Sequence, residues 1–213
     1  MAEILRKIRK KYQREIGFIQ DLIVESIYKF FPNAILHGGT LIWRCFGGNR
    51  FSEDLDFYLQ KKDERKIRQF FENLKSQGFE VRKLRIKERS VFSKLTYGRI
   101  EIRVEMVFKR VKGVLLDYEC IDGRIMPVKG LNAENLIEEK IEAFIKRKKI
   151  RDLYDVYFLL RFVKKTAKIR KNLSKLIKRF EKPKDEKELE KIIIFGYCPK
   201  SKEILEYLKR WMG

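Results

Sequence analysis

Apolar residues recur at Ile4, Leu5, Ile8, Tyr12, Ile16, Ile19, Ile23 and Ile27. That three-to-four-residue spacing predicts one amphipathic helix over residues 3–30. Phe-Phe-Pro-Asn (30–33) stops it, because the residue before a proline avoids helical backbone. Ala34 to His37 predicts a short strand, Gly38-Gly39 a turn, and Thr40 is placed to cap a helix through about Cys45. A second glycine pair, Gly47-Gly48, breaks that helix, and residues 54–59 (DLDFYL) read as the next strand. Residues 63–78 form an amphipathic helix with Gly78 as its carboxy-terminal stop.

Three β-rich runs follow at 79–88, 90–98 and 99–108. The last alternates strictly: Ile100, Ile102, Val104 and Met106 face one way, and Glu101, Arg103 and Glu105 the other. Residues 113–123 and 125–128 complete the β-rich part. From Leu131 the pattern turns helical: one helix over 131–149 with Asn132 or Asn135 near its start, a second over 151–165, then two or three more broken at 181–185 and 196–201. The expected fold is therefore α+β, with residues 1–130 an α/β core carrying an amino-terminal helix and 131–213 an all-helical domain. No internal repeat or disordered linker is visible. Phe30-Phe31, Phe70-Phe71, Trp43 and Cys45 read as packing residues.

Composition adds a partner. The 213 residues hold 51 Lys+Arg against 30 Asp+Glu, a formal charge of +21. Such a surface suits an anionic partner, most commonly nucleic acid, and its bland reading is a solvated or heat-adapted surface. Abundant Lys, Arg, Glu and Ile fit a thermophile source. Cys45, Cys120 and Cys198 lie far apart with no paired spacing, and His37 stands alone, which argues against a zinc site or a disulfide framework. The amino terminus is too charged for a signal peptide, and no apolar run approaches the ~20 residues of a membrane span. A cytoplasmic protein without membrane association is expected.

The chemistry concentrates in residues 35–59, ILHGGTLIWRCFGGNRFSEDLDFYL. Asp54 and Asp56 project to one face of a strand. Two carboxylates so placed repel unless a cation sits between them, and Mg²⁺ is the hard cation that prefers carboxylate, phosphate and water oxygens. A third acid on a neighbouring strand would complete a two-metal site; Glu105 is the first candidate and Glu101 the second. A strand, a glycine pair and a helix start let backbone N–H groups approach a phosphate closely. The expected ligand is a metal-bound NTP. There is no GxxxxGK[ST] loop and no kinase motif set.

In that order, these elements resemble the nucleotidyltransferase superfamily, whose pattern is hG[GS], then DhDh and a third carboxylate. GGT followed by RFSEDLDF is similar to one branch, the AbiEii/AbiGii-type toxins of bacterial and archaeal toxin–antitoxin systems. A second block agrees: Lys140 on one helix, then Arg151-Asp152-Leu153-Tyr154-Asp155 on the next. The resemblance covers roughly residues 35–160 and implies a polymerase-beta-like core with a mixed sheet. It implies that Gly38, Gly39 and Thr40 contact the triphosphate, that Arg50 and Ser52 flank it, and that Asp54, Asp56 and Glu105 bind metal. Lys140 would pair with the phosphates, and Asp155 or Asp152 would orient it. An interhelical salt bridge is the plainer reading of that second block. His37 is expected to pack rather than to act as a base.

The implied reaction is in-line attack on the α-phosphate of an NTP with loss of pyrophosphate. The resemblance offers two acceptors, the 3′ end of RNA (tRNA especially) or a protein hydroxyl, and a cognate antitoxin as a further partner. Charge favours RNA: residues 164–184 carry ten Lys and Arg against the single acid Glu181, with further basic runs at 6–14 and 82–89. A reading of another class is a non-catalytic RNA-binding module on a degenerate nucleotidyltransferase fold.

Overall fold

The computed structural model of the protein describes residues 3–8 and 10–213, without the side chains of residues 3 and 5. The places expected for Leu5 in the apolar stripe and Arg9 in the amino-terminal basic run lie outside the described residues. The chain forms two compact units, residues up to Gly47 with Phe51–Leu131, and Gly48–Arg50 with Asn132–Gly213.

The first unit is built on a seven-stranded mixed sheet in the order β3-β4-β5-β2-β1-β7-β6. Its strands are β1 (Ile35–His37), β2 (Leu55–Leu59), β3 (Glu80–Ile86), β4 (Ser90–Tyr97), β5 (Ile100–Phe108), β6 (Val114–Glu119) and β7 (Ile125–Gly130). β2 runs parallel to β5, and β1 antiparallel to β2. The expected single helix over 3–30 is two helices, α1 (Glu3–Lys7) and α2 (Lys11–Phe30). The interruption is followed by a capping interaction, in which the Arg14 guanidinium donates to the Ile8 carbonyl.

Helix α2 buries Ile16, Ile23, Val24 and Ile27. Helix α4 (Glu64–Ser76) begins where the Asp63 carboxylate accepts from the Lys66 amide, and buries Ile67, Phe70, Phe71 and Leu74. Phe30 and Phe31 meet Phe70 edge to face at 5.9 and 6.1 Å. The alternation of β5 is realised: Ile102, Val104 and Met106 are buried while Glu101, Arg103 and Glu105 face out.

Helix α3 (Gly38–Cys45) differs from expectation at its start. Gly38-Gly39 is the first pair of helical residues rather than a separate turn, and the cap position belongs to His37. Thr40 is the third helical residue, so its hydroxyl serves another purpose: it donates to the Asp54 carbonyl at 2.5 Å. A buried cluster fixes this helix to α2. Asp21 accepts from the Arg44 guanidinium, from the Tyr118 hydroxyl at 3.1 Å and from the Ile121 amide at 2.7 Å. Removing one partner of such a buried pair costs about 3–5 kcal/mol, because the other charge is left without solvent.

The second unit is helical: α5 (Ala133–Arg147), α6 (Ile150–Leu159), α7 (Ala167–Lys178), α8 (Glu188–Ile192) and α9 (Ser201–Met212). Asn132 caps α5 by accepting from the Asn135 amide, and Thr166 caps α7. Helix α6 is buried on nearly all sides, Asp152 and Asp155 included. The segment Gly48–Arg50 is strapped to this unit by a β-bridge between Arg50 and Ile193 and by the Ile194 amide donating to the Asn49 carbonyl. No helix among the described residues is long and apolar enough to cross a membrane.

Candidate active site

Two clusters emerge from the sequence-predicted residues, one in each unit. In the first, β2 lies between β1 and β5, so that Asp56 stands opposite His37 on one side and Glu105 on the other. Asp54 is one residue before β2 and keeps the alternation, facing Arg103 on β5. Asp54, Asp56, Arg103 and Glu105 thus share one face.

The glycine helix meets this face directly. Gly38 has φ of 76°, a left-handed backbone that side-chain-bearing residues rarely adopt. A β-carbon there would collide with Oδ2 of Asp56. The residue therefore has to be glycine twice over, once for its backbone and once for the carboxylate that fills its side-chain space. The start of α3 and the Asp56 carboxylate are thus packed against each other, which brings a helix amino terminus, a favourable place for an anion, next to the acidic face.

Electrostatics are strained at Glu105. Burial and then the negative charge of Asp56 hold its carboxyl above the ordinary carboxylate value, against the lowering pull of Arg103. Asp54 is engaged differently: the Arg103 guanidinium grips both its oxygens, Nε at 2.8 Å to Oδ1 and the second nitrogen to Oδ2. Glu101, the alternative third carboxylate, is exposed and paired with Lys94 at 2.8 Å, which leaves Glu105 as the acid beside Asp56. Among the described residues no three carboxylates, histidines or cysteines converge as a ready-made ligand group.

His37 packs as expected, stacked on Tyr58 with ring centroids 3.9 Å apart at 6°. Ser52 sits in the loop before Asp54, where its carbonyl is held by a residue the sequence reading passed over. Gln20, fully buried in α2, donates from its amide to the carbonyls of Ser52 and Glu53 at 2.9 Å each and lies 3.4 Å from the Thr40 hydroxyl. It braces the carboxylate loop against the glycine helix. Its signal was present: Gln20 falls four residues after Ile16 and three before Ile23, a polar residue on the buried stripe.

The second cluster is a buried ion network on α5, α6 and the Gly48–Arg50 segment. Lys140, 6% exposed, places Nζ 2.7 Å from Asp155 and 3.8 Å from Asp152. Arg50 donates to both oxygens of Asp155 at 2.5 and 2.6 Å. Arg147 does the same for Asp152 at 2.6 Å each. Burial would raise the Asp155 carboxyl, but Arg50 and Lys140 outweigh it and hold it below its ordinary value. Arg50, expected beside phosphate, is 105 residues from the acid it clasps. Lys140 thus meets the Asp-x-x-Asp acids as an interhelical salt bridge, the plainer reading of that block.

Comparison with known proteins agrees with this architecture. The family described as "Nucleotidyl transferase AbiEii toxin, Type IV TA system" matches residues 21–200. Among solved structures, the nucleotidyltransferase toxin MenT4 of Mycobacterium tuberculosis is similar with a TM-score of 0.66 at 17% identity, covering 94% of this chain and 82% of its own. A candidate nucleotidyltransferase of Helicobacter pylori follows at 0.64 and 17%, covering 96% and 94%. The Helicobacter pylori protein JHP933 follows at 0.62 and 18%, covering 92% and 90%. None of the curated proteins compared is a significant match.

Proposed function

The chain belongs to the AbiEii nucleotidyltransferase toxin family, and on that premise we propose that it transfers a nucleoside monophosphate from an NTP to the 3′ end of an RNA, tRNA above all, releasing pyrophosphate. The observation that carries the acceptor is the basic surface around α7. Lys164, Lys165, Lys168, Arg170, Lys171, Lys178 and Arg179 are all exposed there. Such a surface binds phosphate backbones without reading sequence. The family also implies a cognate antitoxin as partner.

The residues of the first cluster fit a divalent ion. Asp56 and Glu105 are like charges on paired strands, Glu105 is held above its ordinary value, and Gly38, with no β-carbon, leaves its side-chain space to the Asp56 carboxylate. Asp54, Asp56 and Glu105 would hold Mg²⁺, as one ion or two. When bound, the metal neutralises the triphosphate and lowers the pKa of the attacking hydroxyl. The protein does the rest. The Gly38 and Gly39 amides receive the phosphates, with Thr40 and Ser52 in the elements that flank them. Thr40 and Gln20 hold the Asp54 loop in place. Glu105, whose carboxyl is held above its ordinary value by burial and by Asp56, accepts the proton of the acceptor hydroxyl at its carboxylate oxygen. In the helical unit Lys140 is the phosphate-pairing cation, oriented by Asp155, with Asp152 and Arg50 bracing the pair.

The test is incubation of purified protein with each α-labelled NTP, Mg²⁺ and total RNA, beside the Asp54→Ala/Asp56→Ala double variant. Label entering a tRNA-sized band with wild type alone is the expected result and names the base used. Label confined to protein would instead make the acceptor a protein hydroxyl. RNA binding without NTP binding would make the chain a non-catalytic module.

A further inference from the structure

Arg103 is the feature of the carboxylate face that the proposed reaction does not use. It projects from β5 between Glu101 and Glu105 and faces Asp54, Asp56 and Glu105. Its guanidinium spans both oxygens of Asp54, in the side-on geometry that arginine matches to a carboxylate and lysine cannot. The pair is only partly shielded, with the Arg103 side chain 45% and the Asp54 side chain 27% exposed. It is therefore an exchangeable ion pair and not a buried strut. The structural cations of this unit look different: Arg44 on Asp21 is fully enclosed.

We infer that Arg103 is an internal competitor for the divalent ion: it neutralises Asp54 in the free enzyme, yields that carboxylate when metal and nucleotide arrive, and then turns its charge to the polyphosphate. This rests on the metal-binding reading of Asp54, Asp56 and Glu105 given above. The chemistry follows from charge. Three carboxylates on one face repel one another, and the Arg103 guanidinium offsets part of that charge. Each Asp54 oxygen accepts one guanidinium hydrogen bond and keeps a further lone pair, but a metal bound there would sit beside the cation that grips the same carboxylate, and the repulsion between the two makes them compete. A metal that wins Asp54 frees a guanidinium on the same carboxylate face, available to an anionic ligand bound there. The device makes metal affinity depend on nucleotide, because only a bound polyphosphate gives the displaced arginine a new partner.

The test compares wild type with Arg103→Gln and Arg103→Lys, using Mn²⁺ binding followed by electron paramagnetic resonance, without nucleotide and with a non-hydrolysable ATP analogue. Without nucleotide, Arg103→Gln should bind Mn²⁺ about fivefold more tightly, the factor corresponding to an exposed ion pair near the upper end of its usual strength. The nucleotide-induced gain in Mn²⁺ affinity should shrink by a similar factor. Arg103→Lys should resemble Gln without nucleotide, since it loses the two-pronged grip, and wild type with nucleotide, since it keeps the charge. Unchanged or weaker Mn²⁺ binding by Arg103→Gln in the absence of nucleotide overturns the inference. Asp54→Asn/Asp56→Asn is the control for the reading beneath it: wild-type Mn²⁺ binding that survives that substitution refutes the metal site itself, whatever Arg103 does. Circular dichroism melts of each variant in EDTA confirm that the exposed substitution leaves the fold intact.

Discussion

Oδ2 of Asp56 occupies the space that a β-carbon on Gly38 would need. One residue opens the glycine helix and the other lies in the strand beside it, so the geometry couples the amino-terminal end of that helix to the carboxylate face.

Gly38→Ala should therefore be far more damaging to activity than to folding. The left-handed backbone at 76° costs about 1 kcal/mol in a side-chain-bearing residue, and the methyl group must also displace Asp56. We expect NTP turnover to fall at least ~100-fold, the scale of a misplaced reacting group. Gly47 is the matched control, with φ of 65° and open space where its β-carbon would go. Gly47→Ala should carry the backbone cost alone. Thermal melts and initial rates on both variants check the contrast.

Glu105→Gln should abolish activity while stabilising the metal-free protein. Asp56 and Glu105 are directly opposed like charges, an arrangement that costs ~0.2–1 kcal/mol. The carboxyl of Glu105 is raised by burial and by Asp56, so its ionised form is disfavoured in the native state. The stability it contributes is present below its unfolded pKa and is lost as pH rises through the raised folded value. At pH 7.5 in EDTA the Gln variant should melt slightly higher than wild type, and the gain should vanish at pH 4.

Asp155→Ala should destabilise the helical unit by about 3–5 kcal/mol, since Arg50 and Lys140 would share a buried site without their carboxylate. The milder Asp155→Asn exposes the pH dependence. The native carboxyl lies below its ordinary value of 3.8. Its contribution is present above the unfolded pKa and is lost as pH falls through the depressed native one. Urea melts should show the wild-type advantage over Asp155→Asn steady from pH 7 to 5 and shrinking below pH 4.

Reversal of charge on α7, as Lys171→Glu/Lys178→Glu, should weaken RNA binding and leave NTP binding unchanged. Both side chains are exposed and lie away from the Lys140 network in sequence. The slope of log affinity against log salt should decrease by about two, roughly one for each phosphate contact removed. Filter binding across a salt series reads it out.

The sequence alone determined the order of elements, the mixed α+β class, the outward face of β5 and the residues of both clusters. These follow from short-range rules: alternation puts Asp54 with Asp56 on one face of their strand and Arg103 with Glu105 on one face of theirs, and glycine pairs and capping residues mark where strands give way to helices. The sequence implied the relation of Lys140 to Asp152 and Asp155 through the family resemblance. What it could not determine was which charge meets which. Arg50 pairs with Asp155 across 105 residues, and Arg103 reaches Asp54 across 49. Gln20 ties together three segments that no local pattern links, and Thr40 serves Asp54 instead of its own helix end. Such pairings depend on β2 lying between β1 and β5, and on Gly48–Arg50 being drawn to the helices. Local propensity decides backbone shape within a few residues, whereas the partner of a buried charge is decided by whatever the folded chain packs against it, and only tertiary structure selects that.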